Sequence, residues 1–179
     1  FIIFGLCIFL GVMLYLDIIK HFISSEYHSG LVVVPILLAA NLFLGILYNL
    51  AIWYKLNDLT KYGAVIALIG ASVTVILNVI LIPYIGYLGS AWATFVCYLS
   101  MVVISYFWGK KHYKVPYDLK NIAVYFILAI VLFTLSELLE FKSIYLSLTI
   151  NTLFIIAFVY FAMIKEKLFD KISFLRRRR

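Results

Sequence analysis

Two long runs without a charged side chain dominate the middle of this sequence, Tyr62–Ile82 and Tyr87–Gly109. At about 1.5 Å of rise per residue, a helix made from either run crosses a hydrocarbon layer of about 30 Å. Residues 83–90, which join the end of the first run to the start of the second, contain proline and glycine, which favour a turn. The sequence therefore predicts two antiparallel membrane-spanning helices joined by a tight turn.

Both runs carry small or weakly polar side chains at spacings of three and four, which let helix backbones approach closely in lipid. On the first run these residues are Gly63, Ala67, Gly70, Thr74 and Asn78. On the second run they are Gly89, Ala93, Val96 and Ser100. We predict that both faces pack against helices; the alternative is that Thr74 and Asn78 also border a polar cavity.

The composition is that of an integral membrane protein, with 66% hydrophobic and 13% charged residues. The apolar runs are continuous rather than alternating, which favours helices over a β-barrel. We predict an all-α polytopic transmembrane bundle of six spans, namely Phe1–Ile19, Leu31–Tyr54, Tyr62–Ile82, Tyr87–Gly109, Leu119–Leu138 and Ser143–Ile164.

The predicted domain organisation follows these spans. Residues 1–109 form four transmembrane helices, residues 110–164 a loop and two peripheral helices, and residues 165–179 a basic tail. Because the sequence begins at Phe1 inside an apolar run, we expect it to be a fragment of a longer protein.

Lys and Arg residues are distributed very unevenly between the two predicted sides of the membrane. Thirteen of the fifteen fall in the 55–61 connection, the 110–120 loop and the tail, and only Lys20 and Lys142 fall on the other side. The positive-inside rule therefore places the tail and both connections in the cytoplasm. The net charge of +7 reflects this asymmetry, so membrane lipids rather than nucleic acid are the expected partner of the basic residues.

Polar side chains are rare within the spans, and those of the second and third spans are the candidates for lining a cavity. The candidate cavity residues are Asn41, Tyr48, Asn49, Thr74 and Asn78. A buried Asn in lipid needs a hydrogen-bond partner, so bonds between helices are one interpretation. The other is a water-filled pathway lined by Asn41, Asn49 and Asn78. The sixth span carries a further group, Thr149, Asn151 and Thr152.

Catalytic and metal sites are not predicted. Cys7 and Cys97 lie in apolar runs without CxxC spacing, and His21 and His28 are predicted on the opposite side from His112. No nucleophile–base set and no phosphate-binding glycine loop is present in the sequence. A chain made almost wholly of spans with short loops favours transport, and we expect a protein that is not an enzyme.

Three acidic residues near span ends allow two interpretations each. Asp17 binds a coupling ion or is exposed at the interface, and Glu137 with Glu140 guides a cation or forms a solvated helix end.

Local signals complete the prediction. Thr60 is predicted to cap the third helix and Pro83 to follow its end. Tyr and Trp residues near the span ends are interpreted as an aromatic belt rather than a ligand cage, among them Tyr48, Trp53, Tyr54, Tyr84, Tyr87, Tyr106 and Trp108.

Several of these stretches resemble a known family. Tyr48–Lys55, Thr60–Ala64 and Asn78–Thr94, the last with Leu-Ile-Pro followed by Gly-Ser-Ala-Trp-Ala-Thr, are similar to the C-terminal part of polysaccharide flippases. These are Wzx-like members of the multidrug/oligosaccharidyl-lipid/polysaccharide exporter superfamily. The Lys110–Tyr117 loop is similar too, so the resemblance covers about residues 24–120; the last two spans match only in hydropathy. Ser90 stands where the family often has Ala.

The resemblance implies a protein of about fourteen spans in two bundles, of which this chain holds the last six. Such proteins move undecaprenyl-diphosphate-linked oligosaccharide from the inner to the outer leaflet of the bacterial cytoplasmic membrane by alternating access. They are expected to use a coupling ion, Na⁺ or H⁺, and no other cofactor. Cationic cavity groups would come from the missing N-terminal half. Lys55 and Lys61 either make first contact with the lipid headgroup or only set the topology.

The sequence is also compatible with other functions, of which three are considered. One is a multidrug or cation antiporter of the same superfamily, and another is a non-catalytic membrane subunit. The third is a membrane glycosyl-processing enzyme, which would need a large reactive outer loop that this sequence lacks.

Overall fold

The computed structural model describes residues 1–112, 118–139 and 144–166, and these ranges are helical without strands. Their α-helices are α1 Ile2–Leu14, α2 Leu16–Ile19, α3 Val34–Leu50, α4 Ile52–Leu56, α5 Thr60–Ile85, α6 Tyr87–His112, α7 Leu119–Leu138 and α8 Ile144–Lys165. Short 3₁₀ helices at Lys20–Phe22 and Ser25–Val33 lead into α3.

The described helices confirm the predicted class. Five of them are long and apolar enough to cross a membrane, and six if the bent pair Ile2–Leu14 and Leu16–Phe22 counts as one span. The chain is therefore an all-α, multi-pass membrane protein. Several predicted features lie outside the described residues: the 113–117 part of the basic loop, residues 140–143 with Glu140, and the tail from residue 167 onwards.

The chain divides into two compact units. The first consists of Phe1 with residues 23–117, and the second of residues 2–22 with residues 118–179. This grouping differs from the sequence-based division at residue 109, because the first helix belongs with the last two.

In the first unit, α6 lies between α3 and α5 and packs along both. A row of small, buried side chains makes this possible: Gly89, Ala93, Cys97, Ser105 and Gly109. They follow one another at a spacing of four residues, except that the larger Met101 stands between Cys97 and Ser105. A side chain added at Gly89 would lie 2.7 Å from the backbone carbon of Leu81 on α5. The α5–α6 hairpin therefore requires glycine at this position.

The turn of this hairpin is shorter than predicted. Helix α5 continues through Pro83 to Ile85, and α6 begins at Tyr87, so Gly86 alone reverses the chain. Its φ of 57° and ψ of −137° suit glycine and few other residues. Pro83 was expected to follow the helix, but in the last turn it removes only one backbone N–H from the hydrogen-bond ladder.

One further local prediction is wrong, and another is confirmed only in part. Thr60 is the first residue of α5 rather than its cap; Leu59 precedes it, and no side chain caps this end. Of the two predicted small faces, Ala67 and Val96 are exposed, whereas Gly70 and Gly89 are buried. On α6 the predicted Ala93 is buried too, and on α5 the larger Ile66 is buried along with Gly70.

The second unit packs α1 against α7 and α8. Its core includes Leu10, Tyr125, Ala129, Phe158 and Ala162. The first span was predicted as one helix, but it breaks at Tyr15 and bends by 54°. The break leaves backbone carbonyl groups near the end of α1 without their helical partners, and side chains of other helices must satisfy them.

Candidate functional site

The predicted cavity residues of α3 lie on its exposed face. Asn41, Tyr48 and Asn49 are all exposed, and Tyr48 retains 64% of its accessible surface. The amide nitrogen of Asn41 donates to the carbonyl oxygen of Leu37 at 2.8 Å, and that of Asn49 to Gly45 at 2.9 Å. These bonds stay within the helix, and among the described residues Asn41 and Asn49 form no hydrogen bond to another helix. An Asn side chain keeps a free carbonyl oxygen and a second N–H in this arrangement.

The predicted residues of α5 are half-buried. Thr74 donates its hydroxyl to the carbonyl oxygen of Gly70 at 3.0 Å. The side-chain oxygen of Asn78 is buried and has no hydrogen-bond partner within the described residues. A buried polar atom without a partner costs about 1–3 kcal/mol, which makes Asn78 the least satisfied of the candidate cavity residues.

In the described part of the chain, the candidate cavity residues of α3 and those of α5 do not lie along one cavity. Because α6 separates α3 from α5, contact between α3 and α5 is slight or absent. The three asparagines Asn41, Asn49 and Asn78 therefore do not line a common channel within this unit. Any shared cavity needs further protein against the exposed faces.

Lys55 and Lys61 lie at one end of the first unit, and both are exposed. The antiparallel α5–α6 hairpin brings the last turn of α6, with Lys110 and Lys111, to the same end. We call this end, defined by these four lysines, the basic end.

Aromatic rings pack beneath the basic end, and the sequence-based interpretation of one of them, Trp53, is wrong. Trp53 was interpreted as part of an interfacial belt, but it is 2% exposed. Its indole nitrogen donates to the hydroxyl of Ser105 at 3.2 Å. The ring of His112 stacks on it at 5.4 Å between centroids, and Tyr62 lies 5.5 Å away. The rings join α4, α5 and α6 at this end.

Two glycines make room for this aromatic cluster. A side chain at Gly109 would lie 2.8 Å from the Trp53 ring, and one at Gly63 would lie 2.8 Å from the Tyr54 ring. The two glycines are visible in the sequence, but only the three-dimensional structure shows which aromatic ring each one faces.

The second unit contains a polar network that the cavity prediction did not include. The side chain of Asn151, on α8, donates to the carbonyl oxygen of Leu14 at 2.7 Å and accepts from the hydroxyl of Ser136, on α7, at 2.7 Å. The hydroxyls of Tyr15 and Thr152 lie 2.5 Å apart. Asn151 thus binds three helices together at the break in the first span. The prediction that a buried Asn forms a hydrogen bond between helices is therefore confirmed for Asn151.

The acidic candidates are surface groups in the described residues. Asp17 is exposed and forms an ion pair with Lys20 at 2.6 Å, as expected for an interfacial position. Glu137 is exposed as well. Among the described residues, no group of three or more His, Cys, Asp or Glu side chains is arranged to hold a metal ion.

The fold and these sites define a multi-pass α-helical membrane protein with a polar helix face, a basic end and a polar network at a broken span. No family model, no curated protein and no solved structure matches the chain. The resemblance to a family therefore stays a prediction from the sequence pattern.

Proposed function

We propose that the chain is the C-terminal part of a flippase that carries undecaprenyl-diphosphate-linked oligosaccharide from the inner to the outer leaflet of the bacterial cytoplasmic membrane. The sequence pattern of residues 48–94 supports this family, and the helical multi-pass fold is compatible with it. The basic tail then faces the cytoplasm, and transport is coupled to Na⁺ or H⁺.

The observation that carries the proposal is the exposed polar face of α3. Two amides and a phenol point away from the packed side of a helix that is otherwise apolar enough to span a membrane. Such a face is costly against lipid, because hydrocarbon offers no hydrogen bonds. A water-filled cavity that accepts a sugar chain satisfies these groups. In our proposal the N-terminal half of the protein forms the other wall.

Lys55 and Lys61 take the role of first contact in this proposal. Their exposed ammonium groups lie at the cytoplasmic mouth if the orientation follows the positive-inside rule. A diphosphate in the inner leaflet is attracted to such groups before the oligosaccharide enters the cavity.

We expect the double substitution Asn41→Ala and Asn49→Ala, made in the complete gene, to lower surface glycan about tenfold, because amide contacts to the sugar are lost. The lipid-linked donor should accumulate in the same cells. Surface glycan and extracted donor are measured together with the level of the protein in the membrane.

Ser72→Ala is the matched control, because Ser72 is also exposed and donates to its own helix at Leu68. It lies on α5, is not one of the candidate cavity residues, and should leave glycan unchanged. Unchanged glycan in the double variant contradicts the cavity role. Normal glycan with new sensitivity to cationic drugs, after deletion of the whole gene, would instead favour the antiporter.

A further inference from the structure

At the basic end, positively charged lysines lie beside a cluster of packed aromatic rings. Trp53, Tyr62 and His112 come from α4, α5 and α6, and their ring centroids lie 4.9–5.5 Å apart. Because these rings are packed, the segments that carry them hold fixed positions relative to one another.

Each ring has lysines beside it in the sequence. Lys55 follows Trp53 by two residues, Lys61 immediately precedes Tyr62, and Lys110 and Lys111 precede His112. The aromatic contacts therefore gather four lysines at one end of the first unit. All four are exposed, and none forms an ion pair with another described residue.

Little negative charge offsets this group. Asp58, in the turn between α4 and α5, is the one acidic residue in the described parts of the segments 51–62 and 105–112. Anionic membrane surfaces attract such groups with a free energy of about 1 kcal/mol per lysine, within a Debye length of about 10 Å at 0.1 M salt.

Large, exposed apolar side chains lie close to the lysines in the sequence. Leu56 is 67% exposed directly after Lys55, and Phe107 is 64% exposed one turn before Lys110 and Lys111. Cationic groups bordered by exposed apolar side chains are complementary to a phosphate headgroup with acyl chains below it. A fully aqueous charged surface would not require the apolar part.

We propose that the basic end is a binding surface for anionic diacyl phospholipids, such as phosphatidylglycerol. The four lysines hold the headgroup phosphate, and Leu56 with Phe107 contacts the acyl chains. This proposal goes beyond transport, because it concerns lipids that surround the protein, and it gives Lys55 and Lys61 a second anionic ligand besides the diphosphate of the proposed cargo.

The test is native mass spectrometry of the 179-residue chain, released from detergent with phosphatidylglycerol or phosphatidylcholine. We expect about a tenfold preference for phosphatidylglycerol, which is lost when Lys55, Lys61, Lys110 and Lys111 are all changed to Gln. Changing the same four residues to Arg should keep the preference, since the charge remains. Circular dichroism checks that each variant keeps its helices.

A matched control removes the same charge elsewhere, by changing Lys20, Lys120, Lys167 and Lys171 to Gln. It should retain most of the preference. The proposal is overturned if the chain shows no preference for the anionic lipid, or if the control loses as much as the test variant. It is also overturned if a prenyl diphosphate binds to the four lysines while phosphatidylglycerol does not, because the lysines would then serve the cargo.

Discussion

Replacing Trp53 with alanine is expected to lower the free energy of unfolding by about 3–5 kcal/mol, the cost of emptying a packed aromatic site. Trp53 is 2% exposed and contacts rings of three helical segments. Its loss leaves a cavity between α4, α5 and α6 and removes the donor to Ser105. Unfolding of the purified protein in mixed micelles, followed by circular dichroism as the fraction of SDS rises, measures this change.

Two further variants separate the cavity from the hydrogen bond. Trp53→Phe keeps most of the ring volume and should cost much less than Trp53→Ala, with part of that cost from the unpaired hydroxyl of Ser105. Trp92→Ala is the control, because Trp92 is 44% exposed. A Trp53→Ala variant no less stable than Trp92→Ala would show that the aromatic cluster does not hold this end together.

Replacing Asn151 with leucine has the second large expected effect, and it should lower the free energy of unfolding by about 2–4 kcal/mol. The substitution removes both hydrogen bonds of a side chain that is 7% exposed. The carbonyl oxygen of the buried Leu14 then lacks its partner, at about 1–3 kcal/mol, and the half-buried hydroxyl of Ser136 adds a smaller cost. The same unfolding measurement in mixed micelles reports the loss.

Thr134→Val is the control for Asn151→Leu. Thr134 lies on α7, is exposed, and donates to carbonyl groups of its own helix at Ile130 and Val131. It should change stability by less than about 1 kcal/mol. Equal stability of Asn151→Leu and the native chain would mean that the break in the first span needs no support from α8.

The spans were predictable because a long charge-free run has few alternatives to a membrane helix. The runs from Tyr62 and from Tyr87 became α5 and α6, each beginning within two residues of its predicted start. Their exact ends were not predictable, since Pro83 is compatible with a last helical turn as well as with a turn after the helix.

The break at Tyr15 and the choice of hydrogen-bond partner by each asparagine were not predictable, because they depend on whether another helix packs at that position. Asn151 is stabilised by Leu14, which is far away in the sequence, whereas Asn41 and Asn49 bond to their own helix. The same residue type therefore takes opposite roles, and only packing decides between them. The burial of Trp53 was missed for this reason too, because its sequence position at a span end is also typical of an interfacial residue.

The candidate cavity residues were found from the rarity of polar side chains in apolar helices. Asn41, Tyr48 and Asn49 are exposed on α3, so another surface can contact them. The role of the candidate residues in binding cargo stays a prediction. The flippase proposal needs α5 and α6 to cross the membrane as a hairpin, with the basic end in the cytoplasm.

Cysteine labelling in intact cells tests this arrangement most directly. In the complete protein, with Cys7 and Cys97 replaced by serine, single cysteines are introduced by Tyr84→Cys beside Gly86 and by Lys111→Cys at the basic end; both positions are exposed. A membrane-impermeant maleimide should label position 84 in intact cells, and position 111 only after the membrane is opened. Labelling of position 111 in intact cells would contradict the orientation and the direction of transport that depends on it.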